Sequence, residues 1–390
     1  MKFLLIYVPN LRFREFHTEW EKIQIGNLIK ERKEYTSDFE KYPLYSFTIE
    51  SGITPKSDRY ERSFLVKKEG DLFKIVHQND FVMNPMNLRF GALNYSKINQ
   101  TVSVSGYYDI FTIDACKYNE FWNAYLKTPR MLYTYNTIAT GSLVEKKRVY
   151  FKQLKELKMC IPSEMEKNKI NEFINLLNER IQTQNKIIDD LILQKKYIIY
   201  SLLEAIQDNE KIMLKDLLFD YNVKTTINNE YPVLSSTASG MYLQTEYFNK
   251  EAASDNTTGY KIIPRGYCTY RSMSDTGLFT FNIQNLVEKG IVSPAYPVFS
   301  ANNYSNEFII LYLNNASYIK KQILELKSGG TRFALPFSTL GTLKIPKLEK
   351  EKQLSFIKTI TAFERKIKNE EKILNDLHKQ KNYLLNNMFI

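Results

Sequence analysis

A chain of 390 residues with 43% apolar and 14% aromatic side chains is globular in composition and long enough for two domains, not a disordered polymer. Its 54 Lys and Arg against 43 Asp and Glu leave a net charge of +11, which attracts polyanions, nucleic acid first among them. Cys116, Cys160 and Cys268 are odd in number, widely spaced and without a CxxC pair, which excludes a disulfide framework and a zinc site and suits a reducing cytoplasm.

In chain order, the first element is the apolar run from Phe3 to Val8, ended by Pro9-Asn10. It is too short for a signal peptide or a membrane span and reads as a core strand or packed arm. A module then begins whose segments return later in the chain. Lys22–Ile29 is answered by Lys211–Leu218, and Tyr42–Ser46 by Tyr231–Ser235. Ser51–Ile53 is answered by Ser239–Met241, Lys74–Val76 by Lys261–Ile263, Val104-Ser105 by Val292-Ser293 and Asn119–Phe121 by Asn306–Phe308. All six matches lie 187–189 residues apart and in order, which chance does not produce. Within each copy, short β-branched and aromatic runs between turn signals predict strands, and Asn119–Leu126 and Ser317–Leu326 predict short helices. Each module is therefore expected to be α+β.

The modules end at Ile161-Pro162 and Ile345-Pro346. Ser163–Ile206 and Lys347–Ile390 then run for 44 residues each without Gly or Pro, the signature of long helices. Their apolar residues recur at three- and four-residue steps: Ile170, Ile174, Leu177, Ile181, Ile188, Leu191, Ile198 and Leu202, repeated 186 residues later as Phe356 through Met388. The expected organisation is module 1–162, helix 163–206, module 207–346 and helix 347–390, with the helices in an antiparallel coiled coil and the molecule pseudo-twofold. A crossing centred near Asp190 and Asp376 puts Lys195 opposite Glu370 and Lys381 opposite Gln184, polar seam pairs that fix register. A 44-residue helix is roughly 66 Å long. A protein with two DNA-reading modules contacts half-sites about one helical turn, roughly 34 Å, or more apart.

No catalytic signature is present. There is no phosphate-binding GxxxxGK[ST] loop, and His17, His77 and His378 form no triad. Asn84-Pro85-Met86-Asn87 is similar to the Asn-Pro-Pro-aromatic motif of amino-methyltransferases but lacks the second proline and the aromatic, so it reads as a turn at a strand end. DNA contact needs simpler chemistry: Arg and Lys for phosphates, and Arg, Asn, Gln, Ser and Thr for base edges. The candidates in loops are Lys56, Arg59, Arg62, Asn84, Asn87, Arg89, Asn94, Tyr107 and Tyr108 in module one. In module two they are Arg265, Tyr270, Arg271, Ser272, Thr331 and Arg332.

These residues together resemble a known family. Leu11-Arg12-Phe13, Glu15-Phe16 and Glu19-Trp20 precede module one, which carries Asn84-Pro85-Met86. Gly329-Gly330-Thr331-Arg332 lies late in module two, and an Ile-Pro leads twice into a charged heptad helix. The set resembles the specificity (S) subunit of type I restriction–modification systems over almost the whole chain. The start Met1–Tyr7 departs from that pattern, and Gly141-Ser142 is module one's nearest counterpart of Gly330–Arg332. The resemblance implies a non-catalytic bacterial cytoplasmic protein that reads a split, asymmetric double-stranded DNA site, one part per target-recognition module. It implies that the helices dock two methylation subunits and that restriction and translocation subunits join them. S-adenosylmethionine, ATP and Mg then belong to those partners, with no cofactor or metal in this chain. The rival readings are the specificity subunit of a related methyltransferase–nuclease system, an enzyme with an unrecognised nuclease or methyltransferase site, and a scaffold that binds protein alone.

Overall fold

A computed structural model of the chain describes residues 8–49, 52–55, 72–143, 146–247, 256–326 and 333–389. The run 3–7, expected as a strand or arm, lies outside them. Module one contains β1 (Glu21–Gln24), β2 (Ile29–Arg32), β3 (Tyr35–Thr36), β4 (Tyr45–Thr48), β5 (Gly52–Pro55), β6 (Phe73–Val76), β7 (Phe81–Met83), β8 (Leu93–Tyr95), β9 (Val102–Val104) and β10 (Asp109–Ile113). Helices α1 (Asn119–Tyr125), α2 (Pro129–Ile138) and α3 (Phe151–Glu156), strand β11 (Lys158–Ile161) and the long α4 (Glu164–Glu204) follow. The second copy runs β12 (Lys211–Met213), β13 (Leu218–Asp220), β14 (Leu234–Thr237), β15 (Gly240–Leu243), α5 (Gln244–Tyr247), β16 (Lys261–Pro264), β17 (Cys268–Tyr270), β18 (Met273–Ser274), β19 (Phe281–Ile283), β20 (Lys289–Val292) and β21 (Val298–Ala301). It closes with α6 (Asn306–Asn315), α7 (Ser317–Glu325), β22 (Phe333–Ala334), α8 (Phe337–Thr342), β23 (Lys344–Pro346) and the long α9 (Lys350–Met388).

The repeat seen in the sequence is a repeat of topology. A four-stranded antiparallel sheet has the order β2-β10-β7-β8 in the first copy and β13-β21-β17-β19 in the second. Each copy closes its ends with one antiparallel pair, β1 with β11 and β12 with β23, and each projects one hairpin, β4–β5 or β14–β15. Single parallel bridges tether both hairpins at the same place, Leu44 to Ser103 and Val233 to Ile291. The α+β expectation is met. Strand faces explain it: β7, an inner strand of its sheet, is buried on both sides and reads as a continuous apolar run.

The chain forms two compact units, and each contains half of both long helices: 1–185 with 372–390, and 186–371. In the first unit, Ile170 and Ile174 of α4 share one core with Met388, the last residue of α9, and Phe389 just beyond it. In the second, Ile199 and Leu203 of α4 share a core with Ile360 of α9. Rising numbers on α4 meet falling numbers on α9 in both, so the helix halves pair antiparallel, and every expected seam position is buried or half-buried. Absence of Gly and Pro lets α4 run unbroken, and Ser163 Oγ accepts the Glu166 N–H at 3.4 Å at its start.

The expected seam register is corrected. Lys195 pairs with Glu364 at 3.3 Å rather than with Glu370, and Lys381 donates to Asn178 rather than to Gln184, six residues away in each case. Exposed ion pairs contribute at most about 1 kcal/mol each. Burying an aliphatic or aromatic side chain contributes about 1.5–3 kcal/mol. Ile170, Ile174, Ile199, Leu203 and Ile360 entering module cores therefore set the register, and the polar seam residues follow.

The segment 8–20 fastens the first unit. Leu11 N–H donates to Asn387 O at 2.8 Å, Phe13 meets Phe173 edge-on at 5.8 Å, and Trp20 is buried against Phe389 and Tyr125. Arg12 grips the fully buried Glu166 carboxylate through Nε at 2.7 Å and Nη2 at 2.6 Å. Bidentate pairing is what makes a buried carboxylate tolerable. Among the described residues no helix is long and apolar enough to cross a membrane.

Candidate nucleic-acid interface

In module one, the hairpin β4–β5 and the turn between β9 and β10 enclose an open groove of about 700 Å³. Tyr45, Phe47, Phe73, Tyr107 and Tyr108 line it. The turn can lie this close only because residue 106 is glycine: a Cβ there would sit 2.6 Å from Leu72 O. Tyr108 is fixed edge-on against Phe47 at 5.5 Å, and its carbonyl accepts Lys74 Nζ at 2.6 Å. Tyr107 is 40% exposed, and the Arg148 guanidinium lies 5.6 Å from its ring centre, a cation–π distance. Burial pushes both phenols above the usual tyrosine range, Tyr107 against the opposing pull of Arg148. Both are therefore neutral at physiological pH and can approach a phosphate or base without charge repulsion.

In module two, the corresponding hairpin β14–β15 and the segment 271–280 enclose a groove of about 450 Å³. Its lining differs in kind: Ser235, Ser236, Thr237, Ser274, Thr276 and Thr280 supply hydroxyls, with Arg271 and Tyr296 beside them. Arg271 is exposed and has no acidic partner among the described residues. A cation on a rim of hydroxyls suits phosphate or base-edge contact, where Arg donates two parallel hydrogen bonds.

An asparagine of the four-stranded sheet lies against the hairpin in each module. Asn282 of β19 donates to Ser236 Oγ at 2.8 Å and to Thr237 O at 2.9 Å. Its counterpart, Asn94 of β8, packs so tightly on β5 that a Cβ at Gly52 would lie 2.7 Å from Asn94 Nδ2; Gly52 also has φ +64°. Asn94, one of the expected DNA contacts, lies against Gly52 of β5, and its Oδ1 accepts the Tyr95 N–H at 3.1 Å. Asn282 was missed, because Phe-Asn-Ile reads as an ordinary strand; its distance of 188 residues from Asn94 was the available signal.

The remaining candidates scatter. Asn84, Asn87 and Arg89 occupy the turn after β7, away from the groove lining. Asn84 Oδ1 accepts Met86 N–H at 3.1 Å, a local turn bond, and Arg89 stacks 4.6 Å from the exposed Phe90 ring. Arg265 is paired to Glu288 at 2.7 Å and donates to Asn285 O. Ser272 Oγ is engaged by Ala295 O at 2.9 Å. Tyr270 is a correction: it is fully buried, its ring 4.8 Å from Phe281 and its hydroxyl bonded to Leu335 O at 2.8 Å, so it is core and cannot touch DNA. As the last residue of β17 its side chain points into the sheet's packed face, whereas Arg271 next to it points out, the alternation of a strand. Lys56, Arg59, Arg62, Thr331 and Arg332 lie outside the described residues. Among the described residues no group of three His, Cys, Asp or Glu could hold a metal ion.

No protein-family model matches the sequence, and no curated protein matches it. Solved structures do match. The S subunit of a type I restriction–modification system from M. genitalium aligns over 98% of this chain and 99% of its own, with 15% identity and a TM-score of 0.50. A chain from a structure of complex assembly and conformational transition in the type I restriction–modification system aligns over 95% and 97%, with 10% identity and a TM-score of 0.56. At such identities the likeness establishes the fold, and the fold is that of the S subunit with its full length covered.

Proposed function

We propose that the chain is the DNA-binding specificity subunit of a type I restriction–modification enzyme and does no chemistry itself. The observation that carries this reading is that the corresponding hairpin walls a groove in both modules, closed by different segments and lined differently each time. One frame with two linings suits two different half-sites, so the DNA sequence read is bipartite and asymmetric. In groove one, Tyr107, Tyr108 and Arg148 contact the duplex; in groove two, Arg271 and the hydroxyl rim do. Lys56, Arg59, Arg62, Thr331 and Arg332 belong to the same proposal as phosphate or base contacts, with Asn87, Arg89 and Arg265 as flanking phosphate contacts. The outward faces of α4 and α9 dock two methylation subunits, which bring S-adenosylmethionine, and restriction subunits, which bring ATP and Mg. The helices then fix how many base pairs between the half-sites go unread.

Co-expression with an adenine methyltransferase subunit of the same system, followed by sequencing of methylated adenines, tests the reading. A split motif with unequal halves is the expected result. Methylation without sequence preference, or a single continuous motif, overturns it.

A further inference from the structure

A cavity of about 260 Å³ in the first unit lies between α1, the start of α2 and the two long helices, away from the groove. Lys127, Lys381, Asn123 and Glu120 line it. Glu120 is already engaged: its carboxylate accepts Tyr95 OH at 2.7 Å, Asn178 Nδ2 at 3.0 Å and Lys97 Nζ. Lys381 donates to Asn178 Oδ1. Lys127 has no side-chain acceptor among the described residues, and Asn123 Oδ1 is buried with no donor. The cavity thus joins a cation that has no hydrogen-bonded side-chain partner among the described residues to an unused acceptor, an arrangement that costs stability unless something fills it.

The second unit shows what a satisfied version looks like. Asn314 stands at the position of Lys127, and both ends of its amide are bonded to Phe281, to N at 2.9 Å and to O at 2.8 Å. Glu364 stands at the position of Asn178 and neutralises Lys195, the counterpart of Lys381. Ile310 replaces Asn123. Between corresponding positions, the first unit has gained a cation at Lys127 and lost the carboxylate that pairs with the counterpart of Lys381.

We infer that this cavity binds a small oxyanion, a phosphate or carboxylate that also carries one hydrogen-bond donor, held by Lys127 and Lys381 and oriented by Asn123. Two ammonium groups supply charge-assisted bonds to the anion, and Asn123 Oδ1 accepts from its hydroxyl. Burial pulls Lys127 down to about 8, with Lys381 and Lys97 lowering it further and Glu120 opposing. An anion of fixed charge, such as lactate, that binds the protonated ammonium must raise that value, so its affinity falls as pH rises from 7 to 9.

Thermal unfolding of the full chain, with inorganic phosphate or lactate exchanged for chloride at constant ionic strength, is the test. At pH 7 a saturable rise in Tm of about 2–4 °C is expected, shrinking at pH 9 for lactate. It should vanish in Lys127→Met and in Lys127→Asn, which copies the second unit. A larger response to phosphate assigns a phosphorylated ligand, and a larger response to lactate assigns a carboxylate. A wild type that responds to neither anion, or variants that respond as the wild type does, overturns the site. On the wild-type chain with ¹³Cε-labelled lysine, phosphate should move one lysine titration upward from about pH 8; an unmoved titration also overturns it. Neither readout involves DNA, so failure here leaves the DNA-reading proposal standing, and the converse holds.

Discussion

The two units have the same strand order in their four-stranded sheets, the same tethered hairpin and corresponding halves of the long helices, yet they differ in the side chains that line their grooves and cavities. Groove one is aromatic, with Tyr45, Phe47, Phe73, Tyr107 and Tyr108; groove two is rich in hydroxyls and carries Arg271. The first unit is fastened by Arg12 on Glu166, while the position in α9 corresponding to Glu166 is the exposed Lys352. The lesson is that duplication preserved what a sheet and a heptad require and released what they do not. Framework positions answer to packing with many neighbours at once, whereas a groove lining answers to its ligand.

The comparison can be broken most forcefully at Arg12. Arg12→Ala leaves the Glu166 carboxylate buried without its cation, which costs about 3–5 kcal/mol. Hydrogen exchange should show that loss in the amides of the first unit, with those of the second unchanged. Equal loss in both would show that the units do not have separate stabilities. Next in size is the hairpin anchor. Asn282→Ala removes two hydrogen bonds and strands Ser236 and Thr237 O, a cost of about 1–3 kcal/mol. Exchange should quicken in β14–β15 and leave β4–β5 alone, and an unaltered hairpin would remove Asn282 from its positioning role. The smallest effect sharpens the difference in lining: Arg271→Ala should weaken duplex binding about tenfold and relax preference at one half-site only. Fluorescence anisotropy with duplexes altered in one half at a time checks it, and a uniform loss across both halves would reduce Arg271 to a plain phosphate contact.

How much of this was legible beforehand depends on the range of the interaction involved. The six matched segments, the absence of Gly and Pro over 163–206 and 347–390, and the heptad stripe are properties of neighbours in sequence. They determined the repeat, the two long helices, their seam and the α+β class, because helix and strand periods are set by local backbone geometry. The candidate DNA contacts fared less evenly. Tyr107, Tyr108 and Arg271 line the grooves, whereas Tyr270 is core, Asn94 packs against Gly52 and Asn84 accepts a bond within its own turn.

Only the tertiary structure decided those outcomes. A groove made by residues 45–48 with 105–108, or 235–238 with 271–280, joins segments that no local period connects. The seam register was settled by how far each helix end could be drawn into a module core, a burial worth more than the polar pairs that mark the seam in sequence. Lys127 looked like one of many surface lysines; only the folded chain places it half-buried in a cavity shared with Lys381 of α9. Charge and type are written in each residue, but desolvation depends on what the rest of the chain places around it.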